Sequence, residues 1–195
     1  MLIKQEFEVG QPIDKVWAFF QDIPGIANCL PGANLTQELG NDKYGGNVLI
    51  RMGPVKMNFD GTAEIVERDE PNKRILVDAS GADEKGRGNA AMKVAARLMS
   101  LGPSTRVNVD MDLVLSGAAA QYGRGMVADV TAVLVRDFAT NMQNRFTALE
   151  RGLDPNSVTG VKPASGLAIG LRAVRMALAR VLSRFFVPYS PPNAS

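Results

Sequence analysis

The hydrophobic period of this chain changes once, and that change limits the folds open to it. From Leu2 to Leu115, apolar residues recur mostly at every second position, the period of a strand with one buried face. After Gly117 the period becomes three or four residues and continues to Leu149. This second pattern predicts one amphipathic helix of about eight turns. The chain is therefore expected to form a sheet first and a long helix last.

Turn sequences divide the sheet region into strands. The segments "GND", "MGP", "DEPN", "SGADEKG" and "LGPS" separate about six strands between residues 33 and 117, and "LIKQEFEV" (2–9) adds one before them. Short connections favour antiparallel neighbours, so we expect a meander. "GQPIDKVWAFFQD" (10–22) predicts a short helix that Pro24 ends or bends. The predicted class is α+β, a curved antiparallel sheet wrapped around the C-terminal helix.

Four segments carry a resemblance to a known family: "FEVGQPIDKVWAFFQDIPGIANCLPGA", "GPVKMNFDGTAEIVERDE", "DASGADEKGRGNA" and "LSGAAAQYGRGMV". Over residues 2 to about 150 the chain resembles the carbon monoxide dehydrogenase G-subunit family, a branch of the START/Bet v 1-like helix-grip superfamily. The resemblance implies a hydrophobic cavity between sheet and helix. We expect a helix-grip domain at 1–151, a flexible linker at 152–166, an amphipathic helix at 167–187 and a disordered end at 188–195.

Small and unbranched side chains support an unfilled interior. "NAAMKVAARLM" (89–99) has four alanines where bulky residues would fill space, and methionines adapt to irregular contents. A packed core with methionine as filler is the alternative. We take the face of Ala90, Met92, Val94, Ala96 and Leu98 as inward. The expected ligand-binding residues are Phe20, Ile26, Leu30, Met52, Met57, Phe59, Met92, Val94, Ala96, Met111, Leu113, Tyr122, Met126, Val130 and Leu134.

The composition argues against several kinds of site. The chain has no histidine and one cysteine, Cys29, which removes the common zinc sites and the cysteine–histidine pair. We expect no metal and no covalent cofactor. Asp110 and Asp112 share one strand face, which we expect to be the solvated one. The absence of a signal-peptide pattern indicates a cytoplasmic protein. Nucleic acid is not an expected partner, because residues 1–154 are acidic overall.

The segment "GLAIGLRAVRMALARVLSRFF" (166–186) has an apolar arc opposite four arginines. Spanning a bilayer would cost about 2.5 to 3.5 kcal/mol for each central arginine, which roughly cancels the apolar gain. Lying at an anionic membrane surface keeps both contributions. A helix folded back on its own domain or into a partner's groove is the alternative. The expected membrane-binding residues are Leu171, Arg172, Val174, Arg175, Leu178, Arg180, Val181, Arg184 and Phe185.

The resemblance further implies an accessory role beside a molybdenum CO dehydrogenase. We expect a non-enzymatic protein that binds a hydrophobic ligand and links that soluble enzyme to the inner face of the cell membrane. An isoprenoid quinone such as menaquinone is the candidate ligand, because the enzyme must pass electrons to a lipid-dissolved quinone pool. Two alternatives stay open: a recruitment scaffold without a ligand, and an aromatase/cyclase-type enzyme.

Overall fold

A computed structural model describes residues 1–155. The elements in chain order are β1 (Leu2–Val9), α1 (Ile13–Phe19), α2 (Ile23–Cys29), β2 (Ala33–Gly40), β3 (Lys43–Met52), β4 (Val55–Asp69), β5 (Arg74–Asp83), β6 (Asn89–Ser100), β7 (Thr105–Leu115), a 3-10 turn (Gly117–Gln121) and α3 (Arg124–Glu150). The predicted tail helix and the predicted disordered end lie outside the described residues, as does the linker after residue 155.

The seven strands form one antiparallel sheet in the order β1-β7-β6-β5-β4-β3-β2. Strands β2 to β7 are neighbours in chain order, so the predicted meander is confirmed. β1 returns to pair with β7, with Leu2 opposite Asp112 and Val9 opposite Thr105. The edge strand β2 has two register shifts against β3, and such bulges blunt an open sheet edge. The sheet followed by α3 confirms the predicted α+β helix-grip class.

Two helix boundaries differ from the prediction. Pro24 does not end the first helix but stands in the first turn of α2, where its missing N–H costs nothing. The Asp22 carboxylate caps α2 by accepting from the N–H of Gly25 at 3.0 Å. α3 begins at Arg124 rather than directly after Gly117. Glycine is a poor helix former, and Gly123 stands immediately before the first residue of α3.

The tightest part of the core lies where α1 and α2 meet the C-terminal half of α3. Its buried residues include Val16, Trp17, Cys29 and Met142. Polar contacts hold α3 there, and each joins a different residue of the segment from Gly10 to Cys29. The contacts are Asn141 Nδ2 to Cys29 O (2.9 Å), Gly10 N to Gln143 Oε1 (2.9 Å), Arg145 Nη2 to Asp22 Oδ2 (3.4 Å) and Gln11 Nε2 to Glu150 Oε1 (2.8 Å).

The outer face of the sheet is charged, as expected for Asp110 and Asp112. Asp110 lies 3.5 Å from Lys4 Nζ, and Asp112 lies 3.0 Å from the N-terminal amine. Both carboxylates are more than half exposed, at 51% and 62%. These two residues therefore belong to the solvated face, and the inner face lies on the opposite side of the strands.

The backbones of β4 and β5 approach each other closely at Gly61. A Cβ placed on Gly61 would lie far inside van der Waals contact with the carbonyl oxygen of Ser80. Gly61 pairs with Gly81 across this contact. The middle of the sheet is therefore built around an absent side chain.

Replacing Gly61 with Ala should lower the free energy of unfolding by about 1 to 3 kcal/mol, because the added methyl group forces the two strands apart. Urea denaturation measures the change. Gly125→Ala is the matched control, since nothing lies within 4 Å of a Cβ at Gly125 and alanine favours the helix. Equal stability of Gly61→Ala and the parent would contradict the close approach.

The Asp83 carboxylate pins the loop between β5 and β6. Its side chain is fully buried, although it lies at the end of a strand. It accepts from Arg87 Nε at 2.7 Å and Arg87 Nη2 at 2.8 Å, and from the main-chain N–H groups of Asn58, Lys85 and Arg87. The hydrogen bond from the Arg87 side chain is the main reason that the pKa of Asp83 lies well below its usual range.

A lowered carboxyl pKa stabilises the fold above the pKa of the unfolded chain, about 3.9 for aspartate, and this stabilisation is lost as the pH falls further. The free energy of unfolding should therefore decrease as the pH drops below about 4, and Asp83→Asn should flatten that part of the pH profile. Asp110→Asn is the control, since its exposed pair with Lys4 contributes little. An acid limb as steep in Asp83→Asn as in the parent would refute the assignment.

Candidate ligand-binding cleft

α3 meets the inner face of the sheet through two separate clusters of apolar side chains. On one side, Val130 packs with Met52, Met57 and Phe59 of β3 and β4. On the other side, Val127 packs with Ile3 of β1 and Met111 of β7. Tyr122, just before α3, is half-buried against both clusters. The helix thus touches the sheet on its two flanks.

The middle of the inner face carries small residues. The pairing register places Gly46, Gly61, Gly81 and Ala90 in one row across four adjacent strands. Ala63 and Ala79 are paired in the next row. The six residues of these two rows are each half-buried.

The exposure of the second row identifies a space between helix and sheet. β5 is the middle strand of the seven, and its inward residues Val77 and Ala79 should be among the most deeply covered of the sheet if α3 packed directly on them. They are half-buried instead. Ala63 and Ala79 also belong to neither flanking cluster. We call this space the inner cleft and define its floor as Gly61, Ala63, Ala79, Gly81 and Ala90.

The walls of the inner cleft are apolar, and their side chains are half-buried. They come from α3 and from the strands on both sides of the floor: Ile50, Met92, Val94, Leu113, Leu115 and Leu134. The polar groups at this surface are few. Gln5 and Tyr122 are half-buried on the inward side. A surface of this kind suits a largely apolar molecule with a small number of hydrogen-bonding groups.

The ion pair of Asp83 and Arg87 was not among the residues predicted for the site. Asp83 shares the inward parity of Ala79 and Gly81, at the end of β5. The pKa of Arg87 is raised, first by its hydrogen bond with Asp83, and Tyr122 makes a smaller contribution. The main-chain oxygen of Arg87 also accepts from Ala118 N at 2.6 Å, which joins this loop to the turn before Tyr122. The spacing of Asp83 and Arg87 at a strand end was the available signal.

The structure distributes the predicted ligand-binding residues over three surroundings. Those beside the inner cleft are Met52, Met57, Phe59, Val130 and Leu134 on one flank, and Met92, Val94, Met111 and Leu113 on the other, with Tyr122 between them. Phe20, Ile26 and Ala96 instead lie in the packed core around α1 and α2. Leu30, which follows α2, is half-buried.

Two of these predictions need correction. Met126 was expected to face inward, but its side chain is 46% exposed, because the helical phase of α3 turns Val127 and Val130 toward the sheet. Ala96 faces inward as expected, yet it is 8% exposed and packs among bulky core residues rather than beside open space. The small residues that border space are those of the cleft floor.

Two further hollows lie outside the inner cleft. A groove of about 470 Å³ runs between β1 and α3 and includes Phe7 and Ala139. A second hollow of about 510 Å³ lies on the outer face of the sheet, beside the short side chains of Thr62, Ser80 and Ala91. The first row of small residues also borders this outer hollow, through Gly61, Gly81 and Ala90, whereas the second row does not. The half-burial of Ala63 and Ala79 is therefore the clearer mark of space on the inner side.

The described residues offer little catalytic chemistry. Burial raises the pKa of the Cys29 thiol to about 11, so the thiol stays protonated near neutral pH. Within residues 1–155, no three His, Cys, Asp or Glu side chains are grouped as metal ligands. No helix in the same range has the length and hydropathy needed to cross a membrane.

Several solved structures are similar to this domain. A conserved protein from Geobacillus kaustophilus is 21% identical, with a TM-score of 0.68 over 75% of this chain and 95% of that chain. A START superfamily protein from Mycobacterium smegmatis is 14% identical, with a TM-score of 0.52 over 76% of this chain and 98% of that chain. At these identities the likeness shows the fold alone. No curated protein matches the chain.

A family model, that of the carbon monoxide dehydrogenase G subunit (CoxG), matches residues 6–147. The match runs from β1 to the last turn of α3 and so includes every element that borders the inner cleft. It confirms the resemblance carried by the segments from Phe7 to Val127. This chain belongs to the CoxG family of carbon monoxide dehydrogenase proteins.

Proposed function

We propose that this protein is a non-catalytic accessory protein that binds a hydrophobic molecule in the inner cleft. The observation that carries the proposal is the half-burial of Ala63 and Ala79 at the centre of the inner face. Apolar surface at the centre of a small domain is normally packed, because burial stabilises the fold by about 25 cal/mol per Å². A bound molecule would cover the surface that α3 leaves open.

The shape of the inner cleft favours a flat or thin molecule. Its floor has no side chain larger than a methyl group, whereas its flanks carry methionines and branched aliphatic residues. Tyr122 at the junction of the two clusters can donate a hydrogen bond through its hydroxyl. An isoprenoid quinone combines a flat ring, carbonyl acceptors and an apolar chain. We propose a respiratory quinone such as menaquinone as the ligand.

The name of the family supplies the proposed partner. The family is named for carbon monoxide dehydrogenase, and we propose that this chain assists a molybdenum-containing enzyme of that kind. Electrons from such an enzyme must reach quinone dissolved in the membrane. The sequence of residues 167–187, with its apolar arc and four arginines, supports a reversible attachment to the inner membrane surface. The protein would then bring quinone, enzyme and membrane together.

Filling the cleft tests the ligand proposal. Ala79→Phe should abolish the recovery of quinone from organic extracts of the purified protein, measured by mass spectrometry, and should leave the thermal midpoint equal or higher. Ala96→Phe is the matched variant in the packed core, where overpacking should lower the free energy of unfolding by about 1 to 3 kcal/mol. Ala82→Phe, at an exposed outer-face position of the same strand, is the control for an added ring.

Each contrary result supports a different function. If the parent yields neither quinone nor lipid and Ala79→Phe loses stability as Ala96→Phe does, the inner face is packed and the chain is a recruitment scaffold. If the parent instead turns over an aromatic substrate and Ala79→Phe stops that turnover, the chain is an enzyme of the aromatase/cyclase type.

The membrane proposal predicts a charge effect. Replacing Arg172, Arg175, Arg180 and Arg184 with Gln should weaken binding to phosphatidylglycerol vesicles by several kcal/mol, at about 1 kcal/mol for each arginine, and should remove most of its salt dependence. Co-sedimentation measures both effects.

The matched control removes the same charge from the domain. Lys56, Lys85, Arg97 and Arg124 are exposed, and their replacement by Gln should change vesicle binding much less. Equal loss in the two variants would show that total charge, and not the tail, attracts the vesicle.

A further inference from the structure

The groove beside β1 has walls from two elements. One wall is β1 from Gln5 to Glu8, and the other is the α3 segment from Ala132 to Asn144. β1 is an edge strand, so its outer side has no neighbouring strand in the sheet. Within α3, Ala132, Val135 and Ala139 supply short apolar side chains, which let another backbone come close. Phe7 borders the same groove and packs edge-on against Phe138, with ring centroids 5.9 Å apart.

The charge along the β1 wall is negative. Glu6 and Glu8 are both on this wall, and Glu8 pairs with Arg106 at 2.7 Å. The pKa of Arg106 is raised mainly by its hydrogen bond with Glu8, and Glu6 adds a smaller electrostatic contribution. Two carboxylates thus share one cation here. On the α3 wall, Arg136 lies 4.0 Å from Asp137. An occupant with an apolar stripe and basic side chains would satisfy this surface.

The remainder of this chain has a matching composition. All 20 acidic residues precede residue 155, whereas the later segment has five basic residues and no acidic one. The apolar arc of its sequence includes Leu167, Leu171, Val174 and Leu178, and Arg172 and Arg175 lie on the other side of a helical wheel. The domain and the tail therefore have opposite charge.

The connection between them is short. α3 ends at Glu150, about 10 Å along the helix from Gln143 in the groove. The predicted linker, residues 152–166, would span about 20 Å as a flexible coil. A tether of this length gives an effective concentration on the order of 1 mM, so an intrinsic dissociation constant below about 1 mM suffices for docking.

We propose that the groove between β1 and α3 is the docking site of the chain's own tail, residues 167–187, when no membrane is present. An antiparallel course along α3 requires the shortest return of the chain. From Ala132 to Asn144 the groove is about 18 Å long, which matches about 12 residues of a helix. Residues 167–178 then cover it, with Leu171 near Ala139 and Leu178 near Ala132.

The docked tail cannot bind a membrane, because the same apolar arc serves both surfaces. This part of the inference rests on the proposed membrane attachment. Docking would keep the arc covered until an anionic surface competes for it, so that the tail acts as a switch.

Cysteine cross-linking tests the docking. The native thiol, Cys29, is fully buried and its pKa is raised by that burial, so it does not compete for the reagent. The pairs Ala139→Cys with Leu171→Cys and Ala132→Cys with Leu178→Cys should cross-link within one chain with a short bis-maleimide. Lys93→Cys with Leu171→Cys is the control, because Lys93 is 78% exposed on the outer face of the sheet. We expect both groove pairs to react at least several-fold faster than the control.

The direction and charge of the contact are tested separately. Exchanged pairs, Ala139→Cys with Leu178→Cys and Ala132→Cys with Leu171→Cys, should react more slowly if the tail runs antiparallel. Glu6→Lys should lower the cross-linking rate of the groove pairs several-fold. Glu38→Lys makes the same charge change at the exposed edge strand β2 and should leave that rate unchanged.

Phosphatidylglycerol vesicles distinguish this inference from the proposed membrane attachment. If both hold, vesicles should pellet the protein and lower the groove cross-linking rate several-fold. Cross-linking without any pelleting keeps the docking and removes the membrane attachment. Groove pairs that react no faster than the control overturn the docking, whatever the vesicles do. Cross-linked dimers in place of internally linked monomers would also overturn it, in favour of a second copy in the groove.

Discussion

The last turns of α3 are held by side-chain hydrogen bonds to the segment between β1 and β2, and this attachment determines where the helix lies. Asn141, Gln143, Arg145 and Glu150 each contact a different residue of that segment. Hydrogen bonds of this kind contribute about 0.5 to 1.5 kcal/mol each when both partners are satisfied. Together with the packing around Met142, they fix the angle at which α3 leaves the core. The first half of the helix then extends over the sheet and meets it through the two flanking clusters.

This arrangement explains why a cleft can exist in a domain of this size. The clusters around Met57 and around Met111 support the helix on both sides, so the middle strands need not touch it. The close approach of β4 and β5 at Gly61 excludes side chains where they would otherwise fill the gap. The same absence of side chains that opens the cleft also lets the strands come together, so the space depends on backbone geometry and not on a missing core residue.

The sequence predicted the sheet, its antiparallel order and the long helix because period and turn chemistry are local properties. The inward face of β6 also followed from its alternation. The distinction between Ala96 in packed core and Ala79 beside open space did not follow, since it depends on which element lies above each strand. Pro24 was misjudged for a similar reason: proline can end one helix or open the next, and the Asp22 cap decides between them. The inward Asp83 was missed because its partner Arg87 lies in a loop.

The pairing of β1 with β7 joins the first strand of the sheet to the last, with Ile3 opposite Met111 and Phe7 opposite Val107. The other strand pairs join neighbours in sequence and can form locally, but this one must close a loop of about a hundred residues before any of its contacts contributes. During synthesis β1 therefore leaves the ribosome before the other strands and finds its place after them. Its apolar side chains stay uncovered until residues 105–115 have emerged, and over that interval the nascent chain depends on other surfaces in the cell to shield them.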